Sequence, residues 1–209
     1  MHQITSTEIK QVKRLARQLE CTSPHLKHGQ RLDMAATQVL GTRNYHEATR
    51  LYEKWIMLHV HTPEDRLAVS KCNYCGFSFA ADLKEDRQEH CERHEQFHDA
   101  CEALDYHPGT HVQQEIMKRD GHELATYGQT IDERIKGVLQ LLRGWFDRSL
   151  ANAIYGNYWR KHPTFEIYVA MALDILGDRY AELRLTLATR YGHIPGVIES
   201  TSNWYPKSC

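Results

Sequence analysis

The sequence predicts an all-α protein in which two helical regions flank a segment rich in cysteine and histidine. Apolar residues recur at the three- and four-residue intervals of a helix through most of the chain. The period of two that marks a strand is almost absent, except around Phe77 and Phe79. These observations predict a three-helix unit in residues 1–60, a small inserted module in residues 61–108, and a helical bundle with an aromatic tail in residues 109–209.

The first region carries start and stop signals for three helices. A helix over about residues 5–20 begins with TSTE, which matches a capping box. A second helix covers about residues 29–40 and ends at Gly41, because glycine favours the left-handed conformation of a helix terminus. A third covers about residues 44–58, and the connector HVHTPEDR follows it. The apolar face of the first helix is formed by Ile9, Val12, Leu15, Ala16 and Leu19.

The last region predicts further helices and an unusual tail. Helical spacing begins again at about Ile131, and another helix covers about residues 164–176. Gly177 ends that helix, and Asp178 can cap a final helix that extends to about Tyr191. The tail IPGVIESTSNWYPKSC is rich in apolar and aromatic residues. We expect it to pack back on the helices, and its insertion into a partner protein is the alternative.

The composition is that of a globular protein in a reducing compartment. The net charge of −1 gives no overall attraction to nucleic acid or to a membrane surface. No apolar run is long enough to span a bilayer, and the first residues lack the apolar core of a signal peptide. We therefore expect a cytoplasmic protein with no membrane partner. In that setting the six cysteines predict metal ligands or free thiols rather than disulfides.

Charge is unevenly distributed along the chain. Residues 1–60 hold nine lysines and arginines against five acidic residues, whereas residues 63–105 hold five against eleven. The polar face of the first helix and the segment after it carry a basic stripe, which could contact the phosphates of DNA or RNA. A solvated basic face is the alternative. The basic residues concerned are Lys10, Lys13, Arg14, Arg17, Lys27 and Arg31.

A metal site is predicted by the spacing of two cysteines and two histidines. Structural zinc takes four ligands in a tetrahedron, and a tight turn can present two thiolates while one helical turn presents two imidazoles. Cys72-x2-Cys75-x14-His90-x3-His94 provides both pairs, and glycine directly after the second cysteine suits the turn. A shift of the histidine pair to His94 and His98 keeps the interval between the two histidines and is the alternative ligand set.

The surrounding residues resemble a known module. The segments CNYCGFSF and EDRQEHCERHEQF, within residues 71–97, are similar to the CCHH zinc finger of the cohesion-establishment acetyltransferases. The resemblance implies a ββα-like finger with zinc on Cys72, Cys75, His90 and His94. The acetyltransferase domain of that family has no counterpart here, so the resemblance does not imply its activity.

The N-terminal helices carry a second, weaker resemblance. Residues 9–58 are similar to a short helical domain at the N-terminus of bacterial proteins labelled glyoxalase-related. Glyoxalase chemistry is not implied, because the metal-binding core of that superfamily is absent. The similar residues are Leu32, Ala35, Ala36, Gly41, Asn44, Tyr45 and Ala48.

A catalytic alternative arises from the segment HEQFH. His94 and His98 flank Glu95 in an H-E-x-x-H pattern, in which two histidines hold zinc and the glutamate acts as general base of a metalloprotease. Such helices bury the motif, whereas the neighbouring positions here include Glu92 and Asp99. The pattern therefore favours a structural site, and a zinc hydrolase is the remote alternative.

The helix of the predicted finger is acidic. Glu85, Glu89 and Glu92 lie on it, and carboxylates near phosphates oppose DNA binding. We therefore expect the finger to be a structural clamp or a docking surface for a basic partner. The sequence predicts a non-enzymatic, zinc-binding regulatory or accessory protein that associates with nucleic acid through its first helix. The alternative is a protein-interaction adaptor or inhibitor that uses the acidic finger or the aromatic tail.

Overall fold

The structure is a computed structural model that describes residues 4–63, 69–198 and 202–206. These residues form eight α-helices and three short strands, which confirms the mainly helical class. The chain divides into two compact units, a first unit Met1–Asp99 and a second unit Ala100–Cys209. None of the described helices has both the length and the apolar character that crossing a membrane requires. Parts of the predicted connector HVHTPEDR and of the predicted tail lie outside the described residues.

The first unit begins with three helices whose ends follow the predicted signals. They are α1 (Ser6–Thr22), α2 (His28–Leu40) and α3 (Tyr45–Met57). Thr5 and Glu8 form the predicted capping box, in which each side chain accepts a hydrogen bond from the backbone of the other residue. Gly41 ends α2 with φ of 67°, and Asn44 caps α3 by accepting a hydrogen bond from Glu47 N at 2.8 Å. These caps satisfy backbone groups that a helix end otherwise leaves unpaired.

The three helices share one apolar core. Several of its members are alanines, which allow the helix axes to approach closely, and each buried large aliphatic side chain contributes roughly 1.5–3 kcal/mol. Half-buried Cys91, from the helix that follows, also packs against it. The buried members are Ile4, Ile9, Val12, Ala16, Ala35, Ala36, Ala48, Tyr52 and Ile56.

A small antiparallel sheet follows in the first unit. Its strands β1 (Val60–His61), β2 (Ser70–Cys72) and β3 (Ser78–Phe79) are arranged in the order β1-β2-β3. Val60 lies opposite Cys72, and Lys71 lies opposite Ser78. The long helix α4 (Lys84–Leu104) comes next. The sheet thus places the first cysteine at the end of its central strand.

The second unit contains four α-helices, of which one was not predicted. Helices α6 (Ile131–Tyr155), α7 (Phe165–Ala172) and α8 (Ala181–Tyr191) lie in the predicted regions. The α-helix α7 is shorter than predicted, because Leu173–Leu176 form a 3-10 turn. The prediction that Asp178 caps the last helix was wrong, because Asp178 lies in a 3-10 turn and Tyr180 is the residue before α8. Helix α5 (His111–Tyr127) lies where the sequence showed no apolar periodicity. It begins with a capping box formed by Thr110 and Gln113.

Glycines allow α5 and α6 to pack with their backbones in contact. A β-carbon on Gly121 would lie 2.5 Å from Leu141 N, and one on Gly137 would lie closer still to the backbone nitrogen of Ala125. A β-carbon on Gly144 would lie 2.9 Å from Gln114 O. Since real side chains do not approach backbone atoms this closely, the three glycines define the separation of the two helices.

The described part of the aromatic tail, residues 202–206, packs on helices of the second unit. Tyr168 Oη donates to Ser202 O at 2.5 Å, and Trp204 N donates to Ser149 Oγ at 2.9 Å. Ser202 is buried, while Tyr205 remains 58% exposed. The tail backbone is thereby fastened to α6 and α7.

A half-buried histidine next to the tail makes the second unit sensitive to pH. His162 Nε2 lies 2.9 Å from Ser149 Oγ, and Nδ1 lies 3.0 Å from Pro163 O. Burial lowers the pKa of His162 to about 4, from an ordinary value of 6.5. Between these values the unfolded chain binds a proton on His162 and the folded chain does not. The stability contributed by the neutral imidazole is therefore lost as the pH falls through this interval.

We expect this histidine to contribute about 2–3 kcal/mol to the pH dependence of unfolding between pH 6.5 and 4. The free energy of unfolding, measured in urea at several pH values, should decrease toward pH 4.5 more steeply for the wild type than for His162→Gln. The other titrating groups are the same in both proteins, so their contribution cancels in the difference between the two free energies of unfolding at each pH. Parallel curves for the two proteins would contradict the assignment.

Candidate metal centre

Four potential metal ligands come together in the first unit. Cys72, Cys75, His90 and His94 are at most 2% exposed, and one candidate ligand atom from each lies within 4.8 Å of all the others. Two sulfur atoms and two imidazole nitrogens therefore face a common point. The cluster could hold a metal ion.

The two cysteines converge because the chain turns tightly after β2. Cys72 N donates to Phe77 O at 2.9 Å, and Gly76 N donates to Cys72 O at 2.9 Å. Gly76 adopts φ of 74°, which glycine tolerates because it has no β-carbon. This turn directs both thiols to the same side, as the C-x2-C-G spacing predicted.

The two histidines share one face of α4 because they are four residues apart. Aromatic rings cover them. Phe79 stacks on His90 with ring centroids 4.3 Å apart, Tyr74 stacks on His94 at 4.8 Å, and Trp55 meets His94 edge-on at 5.5 Å. The covering rings were not predicted, although the position of Tyr74 between the two cysteines is a usable signal. They keep water from the imidazoles.

Several nitrogen atoms of the cluster lack a hydrogen-bond partner. Both ring nitrogens of His90 and Nε2 of His94 are buried without a partner in the described part of the chain. An unsatisfied buried polar atom costs roughly 1–3 kcal/mol. His94 Nδ1 lies 3.4 Å from Cys72 Sγ. A metal ion coordinated by one nitrogen of each ring would remove part of this cost, so the residues present fit a metal.

The pKa values of the two thiols are shifted in opposite directions. Hydrogen bonding from Cys75, and then the nearby His94 imidazole, lowers the pKa of the Cys72 thiol far below its usual range. The hydrogen bond to the Cys72 sulfur, together with burial, raises the pKa of Cys75. These directions make Cys72 the first of the two thiols to lose its proton. A bound divalent cation would draw off the second proton, because coordinating thiols are deprotonated.

The remaining residues of the H-E-x-x-H pattern are placed differently. Glu95 and His98 are not among the four clustered residues. The hydroxyl of Ser6 lies 3.0 Å from Glu95 Oε1 and 3.1 Å from Asp99 Oδ1. Glu95 thus connects α4 to α1.

The predicted basic stripe is only partly exposed. Lys13, Arg14, Arg17 and Lys27 are exposed and form no ion pair within the described residues. Lys10 instead pairs with the carboxylate of Asp99.

Arg31 departs further from the expected exposed position. It is 8% exposed, its Nη1 donates to Leu26 O at 3.0 Å, and Glu20 lies 3.3 Å away. The prediction missed that Arg31 precedes buried Ala35 by four residues and so shares its inward face. Arg31 therefore does not belong to the exposed stripe.

Comparisons of the chain with protein-family models, with curated proteins and with solved structures give no match. The class of protein is defined by the geometry alone: a mainly helical chain with a buried cluster of two cysteines and two histidines that could hold a metal ion.

Proposed function

We propose that the chain is a non-enzymatic, zinc-binding regulatory or accessory protein in which zinc is structural. The observation that carries this proposal is the complete burial of Cys72, Cys75, His90 and His94 around one point, with imidazole nitrogens left unpartnered. Two thiolates and two imidazoles suit a tetrahedral zinc ion, while calcium and magnesium prefer oxygen ligands.

The same geometry favours a structural over a catalytic metal. Catalytic zinc has three protein ligands and an open position for water, whereas structural zinc is closed by four. All four candidate ligands here are buried, and Glu95, the general base of the catalytic alternative, is engaged with Ser6. The zinc hydrolase therefore remains the remote alternative. We expect the wild type to have no peptidase activity, so that substitution of Glu95 causes no measurable loss.

The arrangement of β2, β3 and α4 supports a finger-like module. A hairpin presents the cysteines and a helix presents the histidines, which is the ββα-like arrangement implied by the resemblance to the acetyltransferase finger. Strand β1 adds a third strand to it. We assign this module the role of a clamp, because α4 also contacts the three-helix core through Cys91 and contacts α1 through Ser6.

The partner that we propose is a nucleic acid, bound through α1. Lys13, Arg14 and Arg17 are exposed on one helix and are not neutralised by carboxylates among the described residues. Such side chains release counterions when they meet phosphates. The acidic surface of α4, which includes exposed Glu85 and Glu92, opposes that contact and assigns it to α1 instead.

Reversal of this stripe tests the proposal. We expect Lys13→Glu, Arg14→Glu and Arg17→Glu together to lower affinity for duplex DNA or RNA by at least tenfold at about 50 mM salt. Three lost phosphate contacts should reduce the slope of log affinity against log salt by about 2.7. Binding can be measured by fluorescence anisotropy.

The matched control changes the net charge equally at exposed sites in the second unit. It combines Arg119→Glu, Lys136→Glu and Lys161→Glu, and we expect it to bind as the wild type does. Equal weakening in both triple variants, or no binding of the wild type to either nucleic acid at low salt, would refute the nucleic-acid proposal.

The second candidate is an adaptor that binds a basic protein through the acidic surface of α4. Glu85 and Glu92 favour it because their side chains are exposed. The tail version is less favoured, since the backbone of Trp204 is hydrogen-bonded to Ser149. Capture of a basic partner that survives Glu85→Lys and Glu92→Lys unchanged would count against the adaptor.

A further inference from the structure

The second unit contains a cleft with an aromatic lining and a single cationic side chain. Its volume is about 200 Å³. Most of the lining is carbon, and among the described residues no lysine, aspartate or glutamate contributes to it. The groups that matter for binding are the rings of Tyr106, Phe146, Trp159 and Phe165, the imidazole of His162 and the guanidinium of Arg143.

Arg143 is held by stacking rather than by an ion pair. Its guanidinium carbon lies 3.5 Å from the ring centroid of Phe165 and 5.5 Å from those of Tyr106 and Phe146. No carboxylate forms an ion pair with it in the described part of the chain. One N–H of the guanidinium donates to the Tyr106 hydroxyl. The face of the guanidinium is stacked, and its remaining N–H donors match the two oxygens of a carboxylate.

The neighbouring polar groups are already committed to contacts inside the protein. Asp147, one turn further along α6, accepts hydrogen bonds from Tyr106 Oη at 2.5 Å and from Gly109 N at 2.8 Å. Its charge offsets part of that of Arg143, as the electrostatic coupling between them indicates. Both nitrogens of His162 are hydrogen-bonded to groups of the second unit. Arg143 is therefore the one arginine or lysine of the described lining whose remaining N–H donors can meet a charged ligand.

We propose that this cleft binds a small aromatic monocarboxylate, with its ring among the aromatic side chains and its carboxylate on the edge of Arg143. The size of the cleft limits the ligand to about one ring, because pockets for drug-sized molecules measure roughly 300–1,000 Å³. Burial of the apolar ring supplies affinity, and the charge-assisted contact supplies the preference for an acid over a neutral analogue. The proposal is independent of the metal and of nucleic-acid binding.

The test is titration of the full chain with benzoate and with phenylacetate. Binding is measured by calorimetry and by changes in amide chemical shifts. We expect binding in the millimolar range, as befits ligands of about ten heavy atoms. The neutral analogue benzyl alcohol should bind at least tenfold more weakly. Shifts should concentrate on residues around the cleft. No carboxylate binding at 20 mM, or equal binding of acid and alcohol, would overturn the proposal.

Two variants locate the interaction. Arg143→Gln should weaken benzoate binding at least tenfold while leaving benzyl alcohol unchanged, and Arg119→Gln, an exposed arginine on α5, should have no effect. Leu104→Trp fills the cleft from its half-exposed edge while Arg143 is kept in the sequence, and it should abolish binding of both probes. This second variant decides the matter if Arg143→Gln does not fold. Wild-type affinity for benzoate in Leu104→Trp would reject this location.

Discussion

Replacement of Cys72 by serine is expected to release the metal and to unfold the segment that runs from β2 into the first half of α4. Serine is a poor zinc ligand, and the remaining thiol and two imidazoles would be left as buried polar groups without their common partner. We expect a loss of more than about 3 kcal/mol in the free energy of unfolding of the first unit, because metal binding in such modules is part of folding. Elemental analysis should give about one zinc per chain for the wild type and none for the variant.

The matched control is Cys91→Ser. Cys91 lies on the same helix, directly after one ligand, and is half-buried against the three-helix core, but it is not in the cluster. That variant should retain one zinc. Its free energy of unfolding should fall by no more than about 1.5 kcal/mol, which is typical of a conservative change at a packed site. Chelation of the wild type should reproduce the Cys72→Ser phenotype and be reversed by added zinc. Full zinc content in Cys72→Ser would be incompatible with the proposed centre.

The second large effect is expected from a single methyl group at Gly137. Alanine there would place its β-carbon against the backbone nitrogen of Ala125 and 2.8 Å from Gly121 O. Because backbone atoms cannot rotate away as side chains do, α5 and α6 must separate. We expect Gly137→Ala to destabilise the second unit by about 2–4 kcal/mol, despite the higher helix propensity of alanine.

Gly29→Ala is the control for the effect of replacing glycine by alanine on helix propensity alone. Gly29 lies in the first turn of α2, and no atom of the described residues lies within 4 Å of a β-carbon built there. That variant should be neutral or more stable by up to about 1 kcal/mol. Denaturant unfolding of both variants measures the two changes in the free energy of unfolding. Equal stability of Gly137→Ala and the wild type would contradict the close contact between α5 and α6 at Gly137.

These glycines also explain why α5 was not predicted from the sequence. Prediction of the other helices depended on large apolar residues at helical intervals, as in α1, and on caps such as Thr5 and Gly41. Helix α5 buries Gly121, Ala125 and Gln114 instead, and its contact with α6 is made largely by backbone. Periodicity of large apolar residues cannot report such a contact. The usable signals were the capping pair at Thr110 and Gln113 and the seven-residue spacing of Gly137 and Gly144.

The grouping of the four metal-site side chains was predictable because it depends on local geometry. A turn of four residues places the two cysteines, and one helical turn places the two histidines, so that little tertiary information is needed. The exposure of the basic residues was less predictable. Lys10 and Arg31 are engaged by carboxylates or carbonyls that come from elsewhere in the fold, and counting charges along the chain cannot reveal such partners.

The short span of the metal cluster bears on the order in which the protein folds. Cys72 and His94 are 22 residues apart, so closing the chain around the ion costs little loop entropy, which grows only with the logarithm of loop length. A nascent chain carries every donor once residue 94 has left the ribosome. If the proposed centre holds zinc, metal capture can then precede completion of the second unit, and the supply of zinc during translation would govern how much of the first unit reaches its native state.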